Sequence, residues 1–141
     1  MKKITLDDVE FIAFRFAQTG LGFDEPIPDF STRFPGALES CLAMPFQKFA
    51  GKSPYPTLIA KAAILFYLII KNHPFQNGNK RVAMTTLFLF LARNKKWISV
   101  DDKEIYNFTV WVAQSPPSVK DETIAAIETF LTKYLTVLKK Q

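Results

Sequence analysis

Residues 57–94 read TLIAKAAILFYLIIKNHPFQNGNKRVAMTTLFLFLARN, and the two apolar runs on either side of a polar break decide the fold. Thr57 is a helix-capping residue type, and the run behind it to about Lys71 is apolar nearly all round, which predicts a central helix. Asn79 to about Asn94 predicts a second buried helix, with Met84, Leu87, Phe88, Phe90 and Leu91 as its core face. The break between them, His73-Pro74-Phe75-Gln76-Asn77-Gly78-Asn79-Lys80-Arg81, holds the only histidine of the chain. Histidine is the side chain best suited to moving protons near neutral pH. The residues after it read as a loop entering a helix, where free backbone N–H groups attract phosphate. Lys80 and Arg81 stand in the first turn of that helix, where the dipole disfavours positive charge. A phosphate ligand would remove the conflict.

Outward from this stretch the pattern stays helical. Thr5 to Gln18 predicts a first helix, with Thr5 and Asp8 spaced as a capping box and Gly20 as its stop. Residues 19–35 read as a long loop, 36–43 as a short helix, and 45–56 as a second loop punctuated by Pro45, Gly51, Pro54 and Pro56. Asp101 to Ala113 predicts a helix with acids in its first turn. Ser118 reads as the cap of the last helix, running to about Leu138 on Ile124, Ile127, Leu131, Tyr134 and Leu135. No repeat and no convincing strand pair is visible. The expectation is an all-α bundle of about six helices, one domain over residues 1–141, with the histidine loop between its two central helices.

Composition fits one packed domain: 141 residues, 48% hydrophobic, with fourteen phenylalanines to fill the interior. The longest wholly apolar stretch, Ala62 to Ile70, is nine residues, against about 20 for a membrane span. The two N-terminal lysines have no apolar run behind them, so they do not open a signal peptide. Cys41 is alone, so it can form no internal disulfide and build no metal site; it reads as a small buried residue, and a cytoplasmic location is the default expectation. Trp97 and Trp111 read as core or rim residues. The net charge of +5 is unevenly spread: residues 61–100 carry seven Lys and Arg and no acid, and the rest of the chain sums to −2. Because these charges flank the histidine run, they favour a focused site for an anionic ligand over a nucleic-acid surface, for which no reading motif is present.

Within the run, Pro74 and Phe75 have structural explanations, fixing φ and anchoring the loop. Gly78 allows a close backbone approach to phosphate or serves as an ordinary turn residue. Asn79 reads as a helix cap. Arg81 offers a planar, permanently charged fork matched to phosphate oxygens.

The run resembles the signature of Fic/Doc proteins, roughly His-Pro-Phe-x-(Asp/Glu)-(Gly/Ala)-Asn-(Gly/Lys)-Arg, and departs from it at one position, Asn77. The Asn79-Lys80-Arg81 ending and the upstream Gly36-Ala37-Leu38-Glu39-Ser40 are similar to the Doc (death-on-curing) branch. The resemblance implies a compact helical fold in which His73 takes the proton of a target hydroxyl that then attacks a nucleotide phosphate of ATP. It implies phosphate binding by Gly78, Asn79, Lys80 and Arg81. Lys80, where most Fic proteins have glycine, favours transfer of the terminal phosphate, a protein kinase reaction; Gly78, where Doc has alanine, weakens that preference. Transfer of AMP to the hydroxyl is the alternative. The acid usual at position 77 would hold Mg²⁺, and Asn77 can offer a carbonyl oxygen but no charge; Glu39 and Asp101 are the nearest acids in sequence. A catalytically silent nucleotide- or antitoxin-binding module is therefore a third reading. By analogy the protein target is a translation factor like EF-Tu. Ser118-Val119-Lys120-Asp121-Glu122 approximates an internal inhibitory segment but is followed by Thr123, so restraint by a separate Phd-like antitoxin is favoured. The loop 45–56 corresponds to a flap that aligns the target peptide, or is a plain connector.

Overall fold

A computed structural model describes residues 1–19 and 26–139. The chain opens with α1 (Leu6–Asp8), a π-helical turn (Val9–Ala13) and α2 (Phe14–Thr19). These form one continuous rod, because Val9 and Phe14 at the junctions keep right-handed helical angles. The capping box forms as the spacing predicts. Thr5 Oγ1 accepts from the Asp8 N–H at 3.1 Å, and Asp8 Oδ2 accepts from the Thr5 N–H at 2.9 Å. The Gly20 stop and residues 20–25 of the first loop lie outside the described residues. A 3₁₀ turn (Phe30–Thr32), α3 (Ala37–Ala43) and a second 3₁₀ turn (Met44–Phe46) lead to the central pair, α4 (Leu58–Asn72) and α5 (Asn79–Arg93). α6 (Asp102–Gln114) and α7 (Lys120–Tyr134) complete six helices among the described residues, with the rod of α1 and α2 counted as one. None is long and apolar enough to cross a membrane.

The all-round apolar character of α4 has its expected result: every residue from Lys61 to Ile70 is buried. It packs against α5, α7, α3 and α6. The six residues between α4 and α5 are too few for anything but an antiparallel return, so the histidine loop sits at one end of the pair. On α5, Met84, Leu87, Phe90 and Leu91 are buried, whereas Phe88 is half-buried under Trp97, ring centroids 5.4 Å apart. Trp97 and Trp111 stay at the rim, and Cys41 is fully buried.

Two expectations are corrected at the C-terminal end. Ser118 does not cap the last helix; it lies in a 3₁₀ turn (Pro117–Val119) imposed by the preceding prolines, and α7 begins at Lys120 without a side-chain cap. α7 also stops at Tyr134, and the chain continues as β2 (Leu135–Val137), antiparallel to β1 (Lys96–Ile98), with Lys96 opposite Val137 and Ile98 opposite Leu135. The ladder is extended by Ser99 N to Tyr134 O and Leu138 N to Lys95 O. Ile98 supplies the buried side chain of this small sheet.

The first helix is tied to the end of α5 by an ion pair, Arg93 Nη2 to Asp8 Oδ1 at 3.0 Å. Burial pulls the Asp8 pKa up, but the two bonds from Thr5 and the charge and hydrogen bond of Arg93 together hold it below its ordinary 3.8. A depressed carboxyl stabilises the fold above its unfolded pKa, and that contribution disappears as pH falls through the native value. Asp8→Asn is therefore expected to lower the urea midpoint at pH 7, with the gap to wild type closing as pH falls below 3.8. A gap independent of pH would show that Asp8 contributes through shape alone.

Candidate functional site

Helix α4 ends at Asn72, and His73 caps it in the left-handed region, at φ 46° and ψ 61°. This places the imidazole at an exposed corner instead of continuing the buried face of α4. Phe75 then turns inward, packing on Phe14 and Phe30 with ring centroids 5.1 and 5.8 Å away. It is buried, and it anchors the loop as its chemistry predicts.

Gly78, not Asn79, is the N-cap of α5, and it too is left-handed, at φ 81°. The first intrahelical bond runs from the Val82 N–H to Gly78 O, so the N–H groups of Asn79, Lys80 and Arg81 precede it and point out of the helix end. Lys80 is half-buried and Arg81 is buried, both in that first turn. The Asn79 side chain is committed inward. Its Oδ1 accepts from the Phe75 N–H at 2.9 Å, its Nδ2 donates to Phe75 O at 2.8 Å, and Nδ2 lies 3.4 Å from His73 Nδ1.

Asn77 is clasped on both sides. Its Oδ1 accepts from the Gly78 N–H at 2.8 Å, and its Nδ2 donates to Pro26 O at 3.2 Å. The carbonyl keeps one lone pair for a cation. Among the described residues no group of three His, Cys, Asp or Glu could hold a metal ion. Glu39 is paired with Arg33 at 3.6 Å, and Asp101 caps α6 by accepting from the Lys103 N–H. A magnesium ion at this loop could take an oxygen from Asn77, with water and phosphate as further ligands.

A segment that nothing in the sequence marks out lies along this loop. Phe34 N–H donates to Pro74 O at 2.9 Å, Pro26 O meets Asn77, and Ile27 rests on Gly78. A Cβ at Gly78 would stand 2.6 Å from Ile27 Cγ1, so the missing side chain is needed for this packing as well as for the positive φ. Gly78→Ala is expected to destabilise the protein by about 1–3 kcal/mol. Combined with Ile27→Ala, it should cost less than the sum of the two single changes. Additive urea-unfolding energies would mean that Ile27 does not impose the constraint.

The loop 45–56 is differently placed. Phe49 and Lys52 pair across a tight turn with both Ala50 and Gly51 at positive φ, the geometry of a two-residue hairpin. Its base is held by the buried Lys61, whose Nζ donates to Pro45 O at 2.9 Å and Tyr55 O at 2.5 Å and lies over the Phe46 ring. Burial, then the charges of Lys48 and Lys3, hold the Lys61 pKa below its ordinary value. Lys61 is twelve residues before His73 on α4, about 18 Å of helix rise. The base of the hairpin thus lies toward the far end of α4, and the contacts bordering the histidine loop come from Pro26, Ile27 and Phe34.

The basic stretch is also less focused than its sequence implies. Arg93, Lys95 and Lys96 follow α5 to the end opposite His73, and Lys61 is spent on the hairpin base. Lys71 Nζ donates to the carbonyls of Ala113 and Ser115 at the end of α6. The cations of this stretch that sit in the loop's own helix turn are Lys80 and Arg81.

Set beside known proteins, residues 4–91 match the Fic model, described as the Fic/DOC family. A protein named Toxin Doc, from Mycolicibacterium smegmatis, is 35% identical over 66 residues, which cover 47% of this chain. That match spans about half, 51%, of the relative's own length. The family match covers the whole of the segment from the first helix through the histidine loop to near the end of α5.

Proposed function

The chain belongs to the Fic/Doc family, and from that premise we propose that it is a Doc-like toxin that transfers a phosphate-containing group of ATP to a hydroxyl of a target protein. One observation carries the reading. The exposed His73 and the open N-terminus of α5, with Lys80 and Arg81 in its first turn, face the same six-residue loop. The N–H groups of Asn79, Lys80 and Arg81 would receive phosphate oxygens, and Gly78 aims them by its left-handed turn. Lys80 and Arg81 would offset the charge that develops on the transferred group. His73 would take the proton of the target hydroxyl as it attacks. Magnesium, when bound through Asn77, supplies further neutralisation of phosphate charge.

Lys80 favours transfer of the terminal phosphate over AMP. The target proposed by analogy is an EF-Tu-like translation factor, and the restraint a Phd-like antitoxin. One observation favours the silent-binder reading instead. Asn77 brings no charge to a metal, and both ends of its amide are already engaged by Gly78 and Pro26.

Incubating the protein with EF-Tu and magnesium, in parallel with α- and γ-labelled ATP, separates these outcomes. Label from γ alone means phosphorylation, and label from α means AMP transfer. No label, with nucleotide binding retained by calorimetry, assigns a binding module and rejects the transferase.

A further inference from the structure

The orientation of the Asn79 amide is fixed by its own bonds. Oδ1 receives the Phe75 N–H, and Nδ2 gives one hydrogen to Phe75 O. A reversed amide would set NH₂ against N–H and oxygen against a carbonyl, two repulsive contacts in place of two bonds. Asn79 is also buried, at 8% exposure, so water does not compete for the group. The second hydrogen of Nδ2 is left for His73 Nδ1, 3.4 Å away. An amide nitrogen can only donate, so Nδ1 meets it with a lone pair, and the neutral ring then carries its proton on Nε2. An N–H on Nδ1 would instead direct one hydrogen at another across this contact.

We propose that Asn79 is a positioning residue that stores His73 as the Nε2–H tautomer until phosphate binds. The inference rests on the reading of His73 as the group that handles the target's proton. Nε2 lies across the ring from Nδ1, so in the nucleotide-free protein the exposed ring presents a donor outward and its accepting nitrogen is covered. A base acting through Nε2 needs the proton on Nδ1, and this requires Asn79 to give up the contact. A phosphate oxygen at the start of α5, beside the backbone N–H of Asn79, is an acceptor that can take that hydrogen instead. The ring stays neutral throughout: one proton leaves Nε2 for water, and one arrives at Nδ1 from water. Nucleotide binding therefore precedes base competence, and a target hydroxyl arriving first finds a donor where it needs an acceptor.

Because the chain has one histidine, nitrogen-15 NMR of the uniformly labelled protein in alkaline buffer reads this ring without ambiguity. The nucleotide-free wild type is expected to show the Nε2–H tautomer, and an Nδ1–H ring overturns the assignment. In Asn79→Asp the carboxylate can still accept from Phe75 N–H but offers an oxygen to Nδ1, so the ring is expected to switch to Nδ1–H; an unchanged ring overturns the role of Asn79. Should that variant fail to fold, Asn79→Ala is expected to show a mixture of tautomers where wild type shows one, and a wild-type pattern overturns the role equally. Saturation with a non-hydrolysable ATP analogue and magnesium is expected to move the wild-type ring to Nδ1–H, and a ring that stays Nε2–H with nucleotide bound overturns the release step. These readouts do not depend on turnover. An Nε2–H ring in a protein that transfers no label removes the transferase reading alone, and an Nδ1–H ring in a protein that transfers label removes the Asn79 inference alone.

Discussion

His73→Ala is expected to lower label transfer to the target by about 10²–10⁴-fold, the usual contribution of a positioned general base. The fold should survive, because the ring is exposed and meets the Asn79 amide only at 3.4 Å. The anchoring of the loop depends on other groups: Phe75 against Phe14 and Phe30, and Asn79 against the Phe75 backbone. Transfer rates measured at saturating ATP, with circular dichroism and a melting curve on the same samples, separate chemistry from folding. Wild-type transfer by the alanine variant would remove His73 from the reaction.

Asn77→Asp is expected to increase magnesium-dependent transfer, by about tenfold or more if the added carboxylate gains 1.4 kcal/mol or more in metal binding. The geometry gives the substitution a second effect. The new oxygen would face Pro26 O, where the amide now donates, so the segment around Ile27 would lose one tie to the loop. A cation between the two oxygens would restore the tie, and the variant should therefore be less stable than wild type without magnesium and regain stability with it. A magnesium titration of both transfer rate and melting temperature tests this. An unchanged or lower rate across the titration rejects the account of Asn77 as a weakened metal ligand.

The parts of the fold legible in the sequence are those written locally. Thr5 and Thr57 cap their helices because a side-chain oxygen needs only to reach an N–H three residues ahead. α4 is legible because a fifteen-residue helix without a polar stripe has nowhere to go but the centre. Ser118 misleads because Pro116 and Pro117 set the backbone before its hydroxyl can cap. The β1–β2 pair is invisible because each strand is three residues long and its partner is some forty residues away. No periodicity can show in so short a span.

The site divides in the same way. Its chemistry-bearing residues are contiguous, so residue types and spacing display them together. What borders them does not follow from any pattern. Ile27 against Gly78, Pro26 against Asn77 and Phe34 against Pro74 are long-range contacts made by a loop segment. The charge stretch is legible as composition, but the antiparallel return of α5 sends Arg93, Lys95 and Lys96 away from the histidine.

The left-handed turn at His73 has a genetic consequence. Among residues with a Cβ, asparagine, aspartate and histidine itself are the ones enriched in that backbone region. Histidine and asparagine codons differ in one base, so the exchange that silences the proposed base is also one the turn accepts without strain. Under the proposed function, such an allele would encode a harmless protein whose outer surface differs at this one side chain. It would still occupy an antitoxin, and a cell carrying both alleles would have less antitoxin left to restrain the active copy.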